Sequence, residues 1–346
     1  MKIYVSLATI LLMTVFLSGC SLGTDSTPGT AISASSIMKT TDAGKSWEPK
    51  SKTADKINLA MMDVLSMTIN PYDGKNVFVG TLSNGIVKTD DGGENWNLLN
   101  FPAGKVYGLA IDSMQSSVMY ASGVWQDYGK IFKSVDGGKE WNEVYTTPSK
   151  GPVVISLVAD KFDPKVLYAS VSDGQVMKSV DGGISWQSIF SSQGPITKIS
   201  IDSASADLIY FLVLGGDILK STDGGKTRIN IAGKIGNGAE TIEADPTISN
   251  MVYAGGKNGL FRSGDAGENW EELKILNDSK VSPVKAIAIN PANPGEIVYG
   301  ASQAAYKSVD NGQNWSPVQL ETKKVVSVIR YDMYEMNSIY LGLRNK

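Results

Sequence analysis

The sequence predicts an all-β chain folded as a seven-bladed β-propeller, with four antiparallel strands per blade. Three observations carry that expectation. A nine-residue motif, of which KSVDGGKEW at 133–141 is one copy, occurs seven times. Its central aspartates, Asp42, Asp91, Asp136, Asp181, Asp223, Asp265 and Asp310, are spaced by 49, 45, 45, 42, 42 and 45 residues. The two ends of the repeating region also carry complementary parts of one unit. A period near 45 suits four short strands and their turns.

Each unit reads as strands A to D. Strand A is an apolar run that ends in Asp or Asn, as in MTINP at 67–71 and IAINP at 287–291. Strand B is rich in β-branched and aromatic residues, as in KVLYAS at 165–170 and NMVYAG at 250–255. A glycine-containing turn leads to strand C, for example KIFKS or QVMKS. The Asp motif then turns the chain into strand D, which starts at the tryptophan. Alternation bounded by turn residues marks all four segments as strands.

The segment 325–346 supplies strands A and B but no Asp motif, whereas 31–47 supplies strands C and D without A or B. Six complete blades and one shared between the termini make seven. Sharing a blade joins first to last by backbone hydrogen bonds and leaves no open edge in the ring. Residues 31–346 are therefore expected to form a single domain.

The pattern S/T-x-D-x-G-x-x-W, carried by nearly the whole repeating region, resembles the Asp-box or BNR repeat. That repeat occurs in sialidases, sortilin-type receptors, xyloglucanase-type glycoside hydrolases and the photosystem II assembly factor family. The resemblance implies a propeller frame, with the boxes on the face away from any active site. It does not select an activity, because unrelated functions sit on similar frames. Physically the box is a turn lock. The carboxylate accepts main-chain N–H groups of its own turn, and the Ser or Thr hydroxyl two residues earlier joins it. Glycines supply positive φ, and the tryptophan covers the bonds. The seven aspartates are read as structural. One carboxylate per turn is poor calcium chemistry, so no metal and no cofactor are expected.

Composition narrows the function. Charged residues make up only 19% of the chain, and the formal charge is −3. No basic excess is present to hold a nucleic acid. Histidine is absent, which removes the commonest general base and zinc ligand. Cys20 is the only cysteine, so no disulfide forms within the chain.

That cysteine has a specific context. Residues 1–19 read as a leader, with Lys2 before an apolar run that ends at Leu17. The ending LSGC resembles the lipobox of bacterial lipoproteins, which implies cleavage before Cys20 and lipid on it. Residues 20–30 then read as the lipidated cysteine and a flexible tether. The expected location is the cell membrane or outer membrane of a bacterium, reached by export.

Function is sought where the repeat breaks. Trp125, Asp127 and Tyr128 lie in SGVWQDYG at 122–129, expected to be the longest loop between strands B and C. There the aromatic rings could stack on a sugar or anchor a protein. Glu243 and Arg330 put charges at a strand A position that is Thr68, Ala110, Val158, Ser200 or Ala288 in the other blades. Such charges need partners or water. Arg228 replaces the tryptophan of one box, a substitution expected to be simple loss of that lock.

Two functions compete. The favoured one is a non-catalytic, monomeric, membrane-anchored scaffold or assembly-factor-like protein whose propeller face binds a protein or envelope partner. The alternative is a glycoside hydrolase or carbohydrate-binding propeller. Sialidase-type chemistry needs three converging arginines, and this chain has four in all, Arg228, Arg262, Arg330 and Arg344. Xyloglucanase-type enzymes use a cleft between two propellers. Asp63, Asp127, Asp173 and Asp217 are the carboxylates that loop position leaves open for hydrolysis.

Overall fold

In a computed structural model, described for residues 35–53 and 57–346, every predicted unit is a four-stranded antiparallel sheet. The leader, Cys20 and the tether fall outside the described residues. Blade 1 comprises Val64–Asn70, Asp73–Thr81, Ile86–Thr89 and Asn97–Leu98. Blade 2 comprises Lys105–Ile111, Met119–Trp125, Tyr128–Ser134 and Asn142–Thr146. Blade 3 comprises Val154–Ala159, Leu167–Val171, Gln175–Ser179 and Gln187–Ser191. Blade 4 comprises Ile196–Ile201, Ile209–Val213, Ile218–Ser221 and Ile229–Asn230. Blade 5 comprises Ala239–Ala244, Val252–Gly256, Gly259–Ser263 and Glu271–Leu273. Blade 6 comprises Val284–Ile289, Ile297–Ala301, Ala304–Ser308 and Ser316–Gln319.

Blade 7 takes strands A and B from the carboxyl end, Val325–Tyr331 and Ile339–Arg344. Its strands C and D are Ile37–Thr40 and Glu48–Pro49. Ile37 to Thr40 pair in register with Gly342 to Ile339, and Leu343 N–H donates to Ser36 O at 2.8 Å. The ring is thus closed by main-chain bonds between residues about 300 positions apart, which leave strand C of this blade no free edge.

Each Asp motif makes the same small network. In blade 3 the Ser179 hydroxyl donates to Asp181 Oδ1 at 2.8 Å and accepts the Gly183 N–H at 2.9 Å. Asp181 Oδ1 also accepts the Ser185 N–H at 2.9 Å. The first and second residues after the aspartate have positive φ, 72° and 85° for Gly182 and Gly183, a conformation that glycine adopts without steric cost. Trp96 and Trp141 donate their indole N–H to Gly93 O and Gly138 O at 3.1 and 3.0 Å.

Arg228 does more than mark a lost lock. Its guanidinium lies 4.2 Å from the centre of the Phe190 ring of blade 3, and it donates to Lys226 O at 3.2 Å. In blade 2 the corresponding tryptophan, Trp141, meets Phe101 edge-to-face with centroids 5.1 Å apart. The arginine keeps an aromatic contact with the preceding blade by a cation–π interaction in place of ring–ring packing.

The blades pack by one recurring fit. At the head of strand A, as its first or second residue, each blade buries one side chain, Val64, Val106, Val154, Ile196, Ala239, Val284 or Val326. In four blades this side chain fills space that a glycine of the preceding strand B leaves open. Val284 Cγ1 would lie 2.5 Å from a Cβ on Gly255, and Val326 Cγ1 equally close to one on Gly300. Val106 faces Gly80 and Val64 faces Gly342 in the same way. These contacts are close-packed, and bulk on the glycine side is excluded.

Candidate functional site

One residue further along, every strand A carries a bulge. The pairing with strand B skips Leu65, Tyr107, Ile155, Thr197, Glu240, Lys285 and Ser327, one in each blade. A bulge leaves its extra residue outside the ladder and re-aims its side chain. All seven line a single cavity of about 320 Å³. Strand A is the innermost strand, so this cavity runs along the propeller axis. The bulges lie at the start of strand A, on the side of the B–C and D–A connections and away from the boxes. That end of the cavity is here called the mouth.

The mouth has two chemically different halves. Blades 1 to 3 contribute Leu65, Tyr107 and Ile155, and blade 4 adds Thr197. Blades 5 and 6 contribute Glu240 and Lys285, an ion pair at 3.7 Å with both side chains about one-third exposed. Arg344, at the end of strand B in blade 7, completes the rim. A groove of about 700 Å³ leads from the mouth towards the blade 4–5 boundary, past Leu214, Gly215, Gly238 and Lys257. Gly215 and Gly238 both have positive φ, 110° and 157°.

The residues singled out in the sequence are not gathered at one place. Trp125, Asp127 and Tyr128 do not form a loop. Strands B and C of blade 2 run up to a two-residue turn, Gln126–Asp127, with φ of 52° and 69°. That is the primed hairpin turn that matches strand twist. The expected long loop is corrected to an extended hairpin because V-W and Y-G continue the ladder, with Trp125 paired to Tyr128. Trp125 is 41% exposed at the tip. Lys150 binds Asp127 at 3.2 Å and lies 5.8 Å from the Tyr128 ring centre. None of the three lines the axial cavity.

Glu243 and Arg330 do not meet each other. Glu243 of blade 5 pairs with Lys198 of blade 4 at 2.5 Å. Arg330 of blade 7 lines the axial cavity and donates to Met67 O of blade 1 at 3.1 Å and to Ile329 O at 2.8 Å. Their shared strand A position faces the neighbouring blade. Glu243 meets the preceding blade and Arg330 the following one; Ser200 is like Arg330, its hydroxyl accepting the Ala244 N–H of blade 5 at 2.9 Å.

The four carboxylates left open for hydrolysis are on four different blades, each engaged locally. Asp63 lies 3.7 Å from Lys324 and accepts the Asn345 N–H at 2.6 Å. Asp173 accepts the Gln175 N–H at 3.1 Å, and Asp217 accepts Asn230 Nδ2 at 3.0 Å. Asp127 is held by Lys150 as above. None lines the axial cavity, where Glu240 is the one acid among the lining residues. Among the described residues no cluster of three or more acidic, histidine or cysteine side chains could hold a metal ion.

The axial ring and Arg344 were missed in the sequence. The available signal was the residue after the first buried aliphatic of each strand A, as in VLS, VYG, VIS, ITK and VKA.

Comparison with known proteins places the fold and nothing finer. No family model matches the sequence, and no curated protein matches it. Among solved structures, the GH74 xyloglucanase from Xanthomonas campestris superposes with a TM-score of 0.70 at 16% identity, over 82% of this chain and 51% of that one. A GH74 enzyme from Niastella koreensis gives 0.67 at 17% identity, over 81% and 51%. This chain therefore spans about half the length of those enzymes. YCF48 bound to D1 peptide gives 0.64 at 14% identity, over 81% of this chain and 93% of that one. The chain is an all-β seven-bladed propeller, similar in structure to both kinds of protein.

Proposed function

We propose that this chain is a non-catalytic, exported lipoprotein, anchored through Cys20, whose propeller binds a protein partner at the axial mouth and adjoining groove. One observation carries the reading. The mouth sets an apolar half, Leu65, Tyr107 and Ile155, against a charged half, Glu240, Lys285 and Arg344. An apolar wall beside fixed charges suits a peptide segment with mixed side chains. Hydrolysis of a glycoside needs two carboxyl groups flanking one bond. Glu240 has no acidic neighbour among the lining residues, and it is paired with Lys285. Likeness to YCF48, solved with a peptide bound, supports a protein partner over a glycan. A lipid anchor suits such a role by confining the propeller near envelope proteins.

The test is direct. The detergent-extracted full chain is applied in parallel to an array of envelope-protein peptides and to a glycan array. Selective retention on peptides, weakened by Leu65→Arg, is expected. Selective retention on glycans with no peptide signal sinks the reading. The anchor is tested separately by labelled palmitate, whose incorporation should vanish in Cys20→Ser.

A further inference from the structure

The axis of this acidic protein is positive. The residues that line the axial cavity and its groove include Lys198, Lys257, Lys285, Arg330 and Arg344, against one acid, Glu240. The whole chain carries a formal charge of −3. Two of the five cations are matched, Lys198 by Glu243 and Lys285 by Glu240. The other three are not. Arg330 donates only to main-chain carbonyls, and among the described residues no ion pair or hydrogen bond engages the side chain of Arg344 or Lys257.

The unmatched arginines stand at two depths. Val325 pairs with Arg344 and Tyr340 with Arg330, so five residues of strand A separate their levels, roughly 16 Å at strand rise. Arg344 guards the mouth and Arg330 lies towards the box end. A narrow cavity with low-dielectric walls concentrates the field of such charges and draws in an ion of opposite sign. A guanidinium also presents a planar fork that matches a carboxylate.

We propose that the axial cavity binds the carboxylates of an acidic peptide segment, with Arg344 as the rim contact and Arg330 deeper. This rests on the protein-binding reading above and names the chemistry of the partner. A peptide is favoured over a free anion because the apolar wall of Leu65, Tyr107 and Ile155 faces the cations across the same mouth. That wall adds nothing for inorganic phosphate but can pack against side chains between the acids.

The experiment uses the full chain in detergent and a fluorescent peptide of alternating leucine and glutamate. A glutamine-for-glutamate version and inorganic phosphate are the comparison probes. The acidic peptide is expected to bind about tenfold more tightly than its glutamine version, the scale of a hydrogen bond to a charged group. Arg344→Gln should remove most of that difference while leaving the glutamine peptide unchanged. Arg344 is exposed, so its replacement leaves the ring packed. Lys257→Gln, at the far end of the groove, should weaken the acidic peptide less.

Equal binding of both peptides overturns the inference and leaves the protein-binding reading standing. Unchanged discrimination in Arg344→Gln also overturns it. Phosphate that displaces the acidic peptide at equal concentration points to a free anion as the ligand and overturns the peptide assignment.

Discussion

Tyr340 of the closing blade donates its hydroxyl to the carbonyl of Gly92 in the blade 1 box, at 2.9 Å and 248 residues away in the chain. Lys39 donates to the same oxygen at 2.9 Å. The pattern recurs where Tyr120 reaches Gly182 O at 3.0 Å and Tyr168 reaches Gly224 O at 3.3 Å, with Lys133 and Lys178 alongside. Blades 7, 2 and 3 are thereby tied to the box turns of blades 1, 3 and 4. The three acceptors are all glycines, with φ of 70° to 75°. Where the acceptor position is Ala266 or Asn311, φ is 58° or 60°, and the facing Tyr210 or Tyr253 does not make this bond; before Ala43 the facing residue is Val298.

Blade 1 has Phe78 where five of the other strands B have tyrosine and blade 6 has Val298, and it faces a box with glycine, Gly137, at the acceptor position. Phe78→Tyr should therefore add a hydroxyl that meets Gly137 O. The gain expected for one intramolecular hydrogen bond is about 1 kcal/mol, read as a raised denaturant midpoint at unchanged slope. A loss of stability would mean that the hydroxyl is buried unpaired.

Tyr210 is the converse case. Its ring is fully buried, and its hydroxyl has no hydrogen-bond partner. The box ahead of it has Ala266, with φ of 58°. Ala266→Gly relieves a left-handed alanine and allows the wider φ seen wherever the tyrosine bond forms. The expected result is a gain of about 1 kcal/mol, with amide exchange at Gly267 slowed. Ala266→Gly in a Tyr210→Phe background should gain less.

Ring closure depends on the fit of Val64 into Gly342. A methyl on Gly342 would overlap Cγ1 of Val64 and lie 2.5 Å from Cγ1 of Val328. Gly342→Ala should cost about 1–3 kcal/mol, as overpacking does. Val64→Ala in the same chain should recover part of that loss. Simple additivity of the two substitutions in a double-mutant cycle would refute the contact.

Acid stability follows from the boxes. Asp181, Asp223, Asp265 and Asp310 are each held at about 2, against 3.8 for a free aspartate. The leading cause is the Ser185 or Thr227 hydroxyl in the first two, and the Asn269 or Asn314 main-chain N–H in the others. A depressed folded-state value means the stabilisation is complete above the unfolded value and is lost as pH falls through the folded one. Stability should be flat above about pH 4–5 as far as these groups decide it. It should then drop through the window from 3.8 to about 2, with several boxes protonating together. Asp181→Asn should flatten part of that slope in a circular-dichroism titration.

The ring, its blade count and its closure were legible because the Asp turn repeats with fixed chemistry at a fixed period. The axial ring was not. A bulge is a skipped pairing between two strands, so its only trace in strand A is a place after a buried aliphatic, which carries no residue type of its own. The residues at the seven bulges, from Leu65 to Lys285, share no chemical type, because side chains that face an open axis meet no common packing demand. The hairpin at Gln126–Asp127 is hidden in the letters for a related reason. Its turn lacks the Asn-Gly or Asp-Gly pair that announces a primed turn, although the alternation through Trp125 and Tyr128 was present in the letters.

Lys198 and Glu243 link blades 4 and 5 at 2.5 Å, both side chains roughly one-quarter exposed. Lys198 also donates to Thr241 Oγ1 at 3.2 Å. Removing the acid alone leaves Lys198 beside an axis that already carries unmatched cations. Glu243→Gln should therefore cost more than an exposed pair does, about 1–2 kcal/mol, and the cost should shrink at high salt. Lys198→Met with Glu243→Gln removes both charges and should restore most of the loss. The same double variant lowers no net charge at the mouth, so binding of an acidic peptide at Arg344 should persist in it. An intact fold with lost peptide binding would instead make Lys198 itself a ligand contact, and Glu243 the group that holds it in place.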